Sequence, residues 1–367
     1  MVQREISIRG QTLKSNFFKN EFGEVKMKLV VILLMILSVI TILTATGIGP
    51  VSVDPATTAK ILISHIPGLS DSVVHDWEPV AEDVVWTLRM PRVCLGMVVG
   101  ASLAVCGVTM QALVRNNLAD PFILGVSSGA AAFATLCMLF GAFAFFGTYR
   151  LAISAFIGAA ITITLVYILS RVRGRINVTY LLLSGVAISM IMDGVTSVIK
   201  LGAPNALGLH NAEFWMSGSL AGAKWAYLKL PLIILALCIT WLMLNYRGLN
   251  LLLLGDESAG ALGVNVRRMQ KELVLVASLI AGVTISVSGT IGFVGLMVPH
   301  FTRLLVGGDH RKVLPIAALL GGILVIWVDA VARIIIAPEE LPVGILTAII
   351  GGPIFIYMLR RSNKGLV

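Results

Sequence analysis

Charge is scarce in this chain. Of its 367 residues, 13% are Asp, Glu, Lys or Arg, where a soluble domain carries roughly 25%, and the mean hydropathy is +0.93. A water-soluble globular fold is thereby excluded. Short segments of alternating polarity are missing too, so a transmembrane barrel is excluded and helices are left to span the bilayer. There is no Cys-x-x-Cys: Cys94, Cys106, Cys137 and Cys238 all lie in apolar runs, which fits core packing rather than disulfides or metal binding. No His/Cys cluster is present for a metal, no His-Glu-x-x-His or comparable acid pair for catalysis, and no cofactor is implied. The phosphate loop G-x-x-x-x-G-K-[S/T] is absent as well, so the chain does not bind ATP in that manner. No repeat of fixed period stands out.

What the chain has in abundance is apolar sequence, 57% of all residues. Runs able to cross about 30 Å of hydrocarbon, roughly 20 helical residues each, recur from Met27 to Leu359. Their breaks predict ten spans, at 27–49, 84–114, 119–142, 148–170, 178–201, 225–246, 270–295, 298–306, 312–336 and 341–360, the eighth being short. Residues 1–26 are polar and form an N-terminal extension. A start at Met27 would make MKLVVILLMILSVITILTATG resemble a signal peptide, but about 20 apolar residues are long for one, and the stretch is read as the first span.

The net charge of +9 reflects loop charge that fixes orientation rather than nucleic-acid binding. If the N-terminus is cytoplasmic, the inner side holds Arg115, Arg171, Arg173, Arg175, Arg247, Arg267, Arg268, Lys271, Arg303, Arg311, Lys312 and the Arg360/Arg361/Lys364 tail. The outer side keeps Lys60, Arg89, Arg92, Arg150, Lys200, Lys224, Lys229 and Arg333, with an acidic loop from Asp54 to Asp83. The imbalance puts both termini inside the cell, in a multi-pass protein of the cytoplasmic membrane. Small residues at four-residue spacing, Gly96/Gly100, Gly125/Gly129 and Gly218/Gly222, predict a tightly packed bundle.

One polar insert breaks the pattern. GDESAGALGVNVRRMQK, 255–271, falls on the inner side between two spans. Asp256 is a candidate helix N-cap, Gly263 a C-terminal stop, and Asn250 a second cap for a short turn before Gly255. Two very short helices joined by a glycine result, and neither holds its shape alone in water. They dock either on the protein's own spans, as an ordinary capped loop, or on a soluble partner.

Several segments carry a resemblance: RMPR (Arg89–Arg92), QALVRNNLADPFILGVSSGA (Gln111–Ala130), LLLSGVA (Leu181–Ala187), EFWMSGSL (Glu213–Leu220) and LGDESAGALGV (Leu254–Val264). SGTIGFVGLMVPHFTR (Ser288–Arg303), GDHRKVLP (Gly308–Pro315), DAVAR (Asp329–Arg333) and ELPVGILTAIIGGPIFIYML (Glu340–Leu359) extend it to the C-terminus. In this order they resemble the FecCD-type permease subunits of ABC importers for iron-siderophores, haem or cobalamin. The resemblance implies an all-α polytopic fold of about ten helices per subunit, the type II importer permease fold. One transmembrane domain would cover 27–361, with coupling helices near 250–264 and a cytoplasmic tail at 362–367. Implied partners are a second copy of the chain, two cytoplasmic ATP-binding subunits, an extracytoplasmic substrate-binding protein and the lipid bilayer.

The resemblance also assigns roles. Leu254, Gly255, Asp256, Glu257, Ala261, Leu262 and Gly263 would couple to the ATPase. Arg89, Arg92 and Arg333 would receive carboxylates of the binding protein, a task suited to the guanidinium fork; the alternatives are interfacial snorkelling and, for Arg333, an i,i−4 pair with Asp329. Asn116, Leu118, Asn177 and Thr179 would form a cytoplasmic gate, although Asn116-Asn117 departs from the family's Asn-Pro and the asparagines could simply cap loops. Asp193, where the family has a small neutral residue, is a candidate pathway group, or else a protonated acid bonded to another helix. Met190 and Met192 would line the same conduit or pack in the core. His300 and Arg303 read as structural. Pro342, Gly351, Gly352 and Pro353 would let the tenth helix bend or pack closely. The expected function is that of a permease moving a metal chelate, iron(III)-siderophore first, haem or cobalamin as alternatives. A self-contained secondary transporter would favour several ionisable groups on broken helices, and only Asp193 fits.

Overall fold

The computed structural model describes residues 27–363 apart from 52, 67, 69–72 and 173–174. The extension expected over 1–26 and the end of the tail lie outside the described residues. In chain order the helices are α1 Met27–Gly47, α2 Pro55–Ser64, α3 Pro79–Val114, α4 Val126–Phe140 and α5 Arg150–Leu169. A two-residue antiparallel ribbon follows, β1 Arg171–Val172 with β2 Arg175–Ile176. Then come α6 Val178–Leu201, α7 Ala206–Met216, α8 Trp225–Leu244, α9 Tyr246–Leu252, α10 Asp256–Ala261, α11 Val266–Ser288, α12 Val294–Val306, α13 His310–Ala332 and α14 Val343–Asn363.

Seven described helices are long and apolar enough to cross a membrane, and α4, α12 and α14 are shorter apolar helices. These ten segments fall where the apolar runs predict them, with three corrections. The third run begins as a short 3₁₀ turn, Pro121–Leu124, capped by Asp120, so its helix starts only at Val126. The seventh ends at Ser288, because Gly289 takes a positive φ of 63° and turns the chain out; the eighth then starts at Val294. The acidic loop after α1 contains a helix that composition hid. Asp54 caps α2, its Oδ2 accepting from Ala56 and Thr57 N–H at 3.0 and 3.2 Å, and Pro55 opens it, the usual proline-at-the-start arrangement. Beside it Lys60 donates to Asp76 and holds that carboxyl below the ordinary aspartate range.

The core is organised around α3. It is apolar on all sides and almost wholly buried, as a helix surrounded by others must be, and it packs against α8, α11, α12 and α13. Glycine seams bring the backbones together: a Cβ on Gly100 would land on the Gly321 carbonyl of α13, and one on Gly107 on the Gly295 carbonyl of α12. The Gly129 and Gly158 backbones do the same for α4 and α5. Gly222, expected in such a seam, faces open space. By contrast α1, α6 and α8 are mostly exposed within the subunit.

Three breaks in the helices meet near the end that carries α2. Ser219 N–H donates to the Ser288 carbonyl at 2.8 Å and Gly344 N–H to the Gly218 carbonyl at 3.2 Å. Gly218, Gly289 and Gly344 allow this, since a side chain on any of them would strike a neighbouring carbonyl. Irregular backbone at membrane depth is tolerated only where protein satisfies it, and here the breaks satisfy one another.

Replacing Gly107 by alanine is therefore expected to lower the melting temperature of the detergent-solubilised protein by an amount equivalent to about 1–3 kcal/mol of overpacking, with Gly222→Ala unchanged. Equal melting temperatures for the two variants would contradict the seam.

Candidate functional site

At the α2 end, α3 opens with a π-helical turn, Asp83–Arg89, ahead of Pro91. This turn and the next aim Arg89 and Arg92 inward. Arg92 grips two acids: its Nε and Nη2 lie 2.9 Å from Asp329 Oδ1, and Nη1 lies 2.8 Å from Glu340 Oε2. Arg333 reaches the same Asp329 through Nε at 3.2 Å and donates to the Ile48 and Ala45 carbonyls at 2.9 and 3.1 Å. Arg89 donates to the Thr46, Gly47 and Val51 carbonyls at the end of α1. The three arginines, expected as surface cations, are 6, 7 and 2% exposed respectively.

The physical reason is that a guanidinium withdrawn from water needs counter-charge and acceptors. Of the alternatives for Arg333, the pair with Asp329 is the one formed. Composition missed Asp329 and Glu340 as partners of Arg92; the signal was available, because arginines in so apolar a chain must find acids. Three cations meet two carboxylates, and among the described residues Arg89 bonds to carbonyls alone. Arg89, Arg92, Arg333 and Glu340 line a cavity of about 370 Å³ with Val84 and Leu88.

At the opposite end, α9 and α10 form the two short helices expected, but the caps differ. Gly255, with φ 103°, is the N-cap of α10, so Asp256 is the first helical residue and makes no cap bond. Its carboxylate instead meets Arg115 Nη1 at 3.4 Å and Gln270 Nε2 at 3.3 Å. Gly263 does stop the helix: its N–H donates to Gly260 and Val264 N–H to Ala259, both at 3.0 Å, the paired bonds of a left-handed C-terminal stop. Asn250 caps no turn of its own. It sits inside α9, where its Oδ1 accepts from His310 N–H at 3.0 Å and its Nδ2 donates to Asp309 at 2.8 Å, tying α9 to the start of α13. Ala259 is fully buried while Leu254 and Leu262 stand exposed on either side, and Glu257 lines a cavity of about 450 Å³ with Gly260, Asn265 and Arg267.

The gate candidates stand at this same end. Asn116 accepts from Leu118 N–H at 2.9 Å and Asn177 from Tyr180 N–H at 3.1 Å, so both asparagines cap their loops. Leu118 is half-buried and Thr179 exposed. The 3₁₀ turn that follows Asn116 packs on α6, and a Cβ on Gly185 would strike the Ile123 carbonyl. Gln111 accepts from Arg303 across α3 and α12, which gives that arginine a structural role.

Along α6, helical spacing separates the pathway candidates. Met190, at 70% exposure, shares an open face with Asp193, Gly194 and Ser197. Met192 lies on the opposite side, among Leu181, Ile188 and Thr196, and packs against the core; a two-residue step turns about 200° around a helix, so the two methionines cannot share a conduit within one subunit.

The sequence profile described as the FecCD transport family matches residues 33–361. Among curated relatives, the hemin transport system permease protein HmuU of Yersinia pestis is 39% identical over 93% of this chain and 98% of its own length. The cobalamin import system permease protein BtuC of Halobacterium salinarum is 41% identical over 76% and 74%. A solved structure assigned to the metal-chelate type of ABC transporter, in an inward-facing conformation, superposes with a TM-score of 0.77 at 32% identity, covering 90% of this chain and 99% of that one.

Asp329→Ala leaves Arg92 and Arg333 without their shared carboxylate and is expected to cost about 3–5 kcal/mol, seen as a lower melting temperature and reduced yield in membranes. Glu272→Ala removes the half-buried partner of exposed Arg268 and is expected to cost at most about 1 kcal/mol. Comparable losses from both would contradict the network.

Proposed function

The chain belongs to the FecCD transport family, and from that premise we propose that it is the membrane permease of an ATP-driven importer carrying a metal chelate across the cytoplasmic membrane. The observation that carries the reading is the α9–α10 pair, two short helices with exposed Leu254 and Leu262, seated on the bundle through buried Ala259, Leu249 and Leu252. Such an element suits a cleft in a soluble ATPase subunit. Leu254, Gly255, Asp256, Glu257, Ala261, Leu262 and Gly263 form that contact, and the Arg115–Asp256 pair relays movement to the gate loops at Asn116–Leu118 and Asn177–Thr179. Two ATPase subunits serve two copies of the chain, with both termini on their side of the membrane.

At the other face an extracytoplasmic binding protein docks. Of Arg89, Arg92 and Arg333, Arg89 is the one that holds no carboxylate among the described residues, and an incoming carboxylate would take it from the Thr46, Gly47 and Val51 carbonyls that it now meets. The chelate passes between the two copies along α6 and α14, past Asp193 and Met190. Both helices present exposed apolar residues, Leu183 and Val186 on α6 and Ile349 and Tyr357 on α14, which a second copy would cover. An iron(III)-siderophore is the proposed cargo. Haem is the second reading, favoured by the near full-length match to a hemin permease, and cobalamin has support of a similar order from its own.

Affinity purification of the permease from its native host is expected to retain a soluble subunit bearing a phosphate loop, and iron-chelate uptake should stop when that loop's lysine is replaced. Leu262→Asp should weaken retention of the subunit by about tenfold, as loss of an interface anchor does, without changing the permease's melting temperature. Uptake that continues without a working ATPase would overturn the proposal.

A further inference from the structure

Asp193 lies about 23 Å along a helix of about 36 Å, well inside the span Val178–Leu201. Its carboxylate has no hydrogen-bond or ionic partner among the described residues. Beyond the bonds of the helix itself, its backbone carbonyl accepts from the Ser197 hydroxyl at 2.8 Å. Lys200, the cation on the same helix, is taken by Glu213 at 2.8 Å. The residues sharing the open face, Leu183, Val186, Met190, Gly194, Ser197 and Leu201, carry no charge, and nothing stands within 4 Å of the Gly194 Cβ position. An unpaired acid at this depth is costly against lipid and belongs where water reaches it.

Resting on the pathway proposed above, we infer that Asp193 gives the conduit a selectivity for charge. Two carboxylates, one from each copy, hold a negative field across the passage at this depth. A fixed charge between low-dielectric walls concentrates one sign of solute and repels the other. The cargo class that fits is a chelate that is neutral or cationic overall, such as an amine-bearing hydroxamate complex of iron. Carboxylate-rich chelates and porphyrins with free propionates are disfavoured at this point. The rest of the face supplies aliphatic side chains, a thioether, a hydroxyl and bare backbone, none of them a ligand for a metal chelate's charge, so Asp193 sorts by charge without trapping what it admits.

The test measures the field directly and needs no knowledge of the cargo. In the assembled importer, with Cys94, Cys106, Cys137 and Cys238 replaced by alanine, Ser197→Cys or, as a second reporter, Met190→Cys is labelled with a cationic trimethylammonium-ethyl thiosulfonate or an anionic sulfonatoethyl thiosulfonate. The cationic reagent is expected to react roughly tenfold faster, relative to the same pair on a free thiol, with the preference lost in Asp193→Asn and inverted in Asp193→Lys. Equal preference with and without the carboxylate overturns the charge inference and leaves the pathway standing. Failure of both reagents at both reporters, while Thr179→Cys is labelled, puts the face in lipid and removes the pathway reading with it.

Discussion

Asp329 is the point on which one end of this molecule turns. Its carboxylate is 1% exposed and receives Arg92 from α3 and Arg333 from its own helix, while Glu340, just before α14, takes the other side of Arg92. Arg333 and Arg89 then spend their remaining donors on the carbonyls that end α1. Charge buried this deeply is stable only when every donor finds an acceptor. Meeting that demand joins α1, α3, α13 and the start of α14 into one rigid cap.

From this cap the α-helical part of α3, Met90–Val114, runs as a rod of about 38 Å to the opposite end. Along the way its glycines let α12 and α13 approach to backbone contact, so it cannot slide without moving both. At its far end Arg115 adopts a left-handed conformation, φ 56°, and meets Asp256 on α10. The proposed contact with an ATPase thus lies one ion pair from the turn at Asn116, the proposed gate, and one rigid helix from the face proposed to meet a binding protein. The exposed sides of α6 and α14 are not part of this frame. In the proposed dimer they are the surfaces free to change partners.

The spans were legible because hydrocarbon thickness imposes run length, and the glycine stop at Gly263 because only a residue tolerant of positive φ ends a helix that way. The pairing of Asp256 with Arg115 was not legible, since 141 positions separate them and no local pattern links them. The inward turn of Arg89 and Arg92 was hidden for a related reason: a π-helical turn shifts the helical register, so spacing alone aims the side chains wrongly. The fates of Met190 and Met192, by contrast, follow from helical spacing once the buried face of α6 is known. The α2 helix was masked by its setting in an acidic loop, although Asp54-Pro55 marked its start.

The central claim is that the α9–α10 element transmits work from a separate nucleotide-driven subunit, the permease having no energy source of its own. The most direct measurement is accumulation of an iron chelate in sealed vesicles holding the purified permease, with binding protein outside, ATP inside, and the partner ATPase present or omitted. The account predicts uptake against the gradient only when the ATPase is present and hydrolysing. Uphill uptake by the permease alone would contradict it.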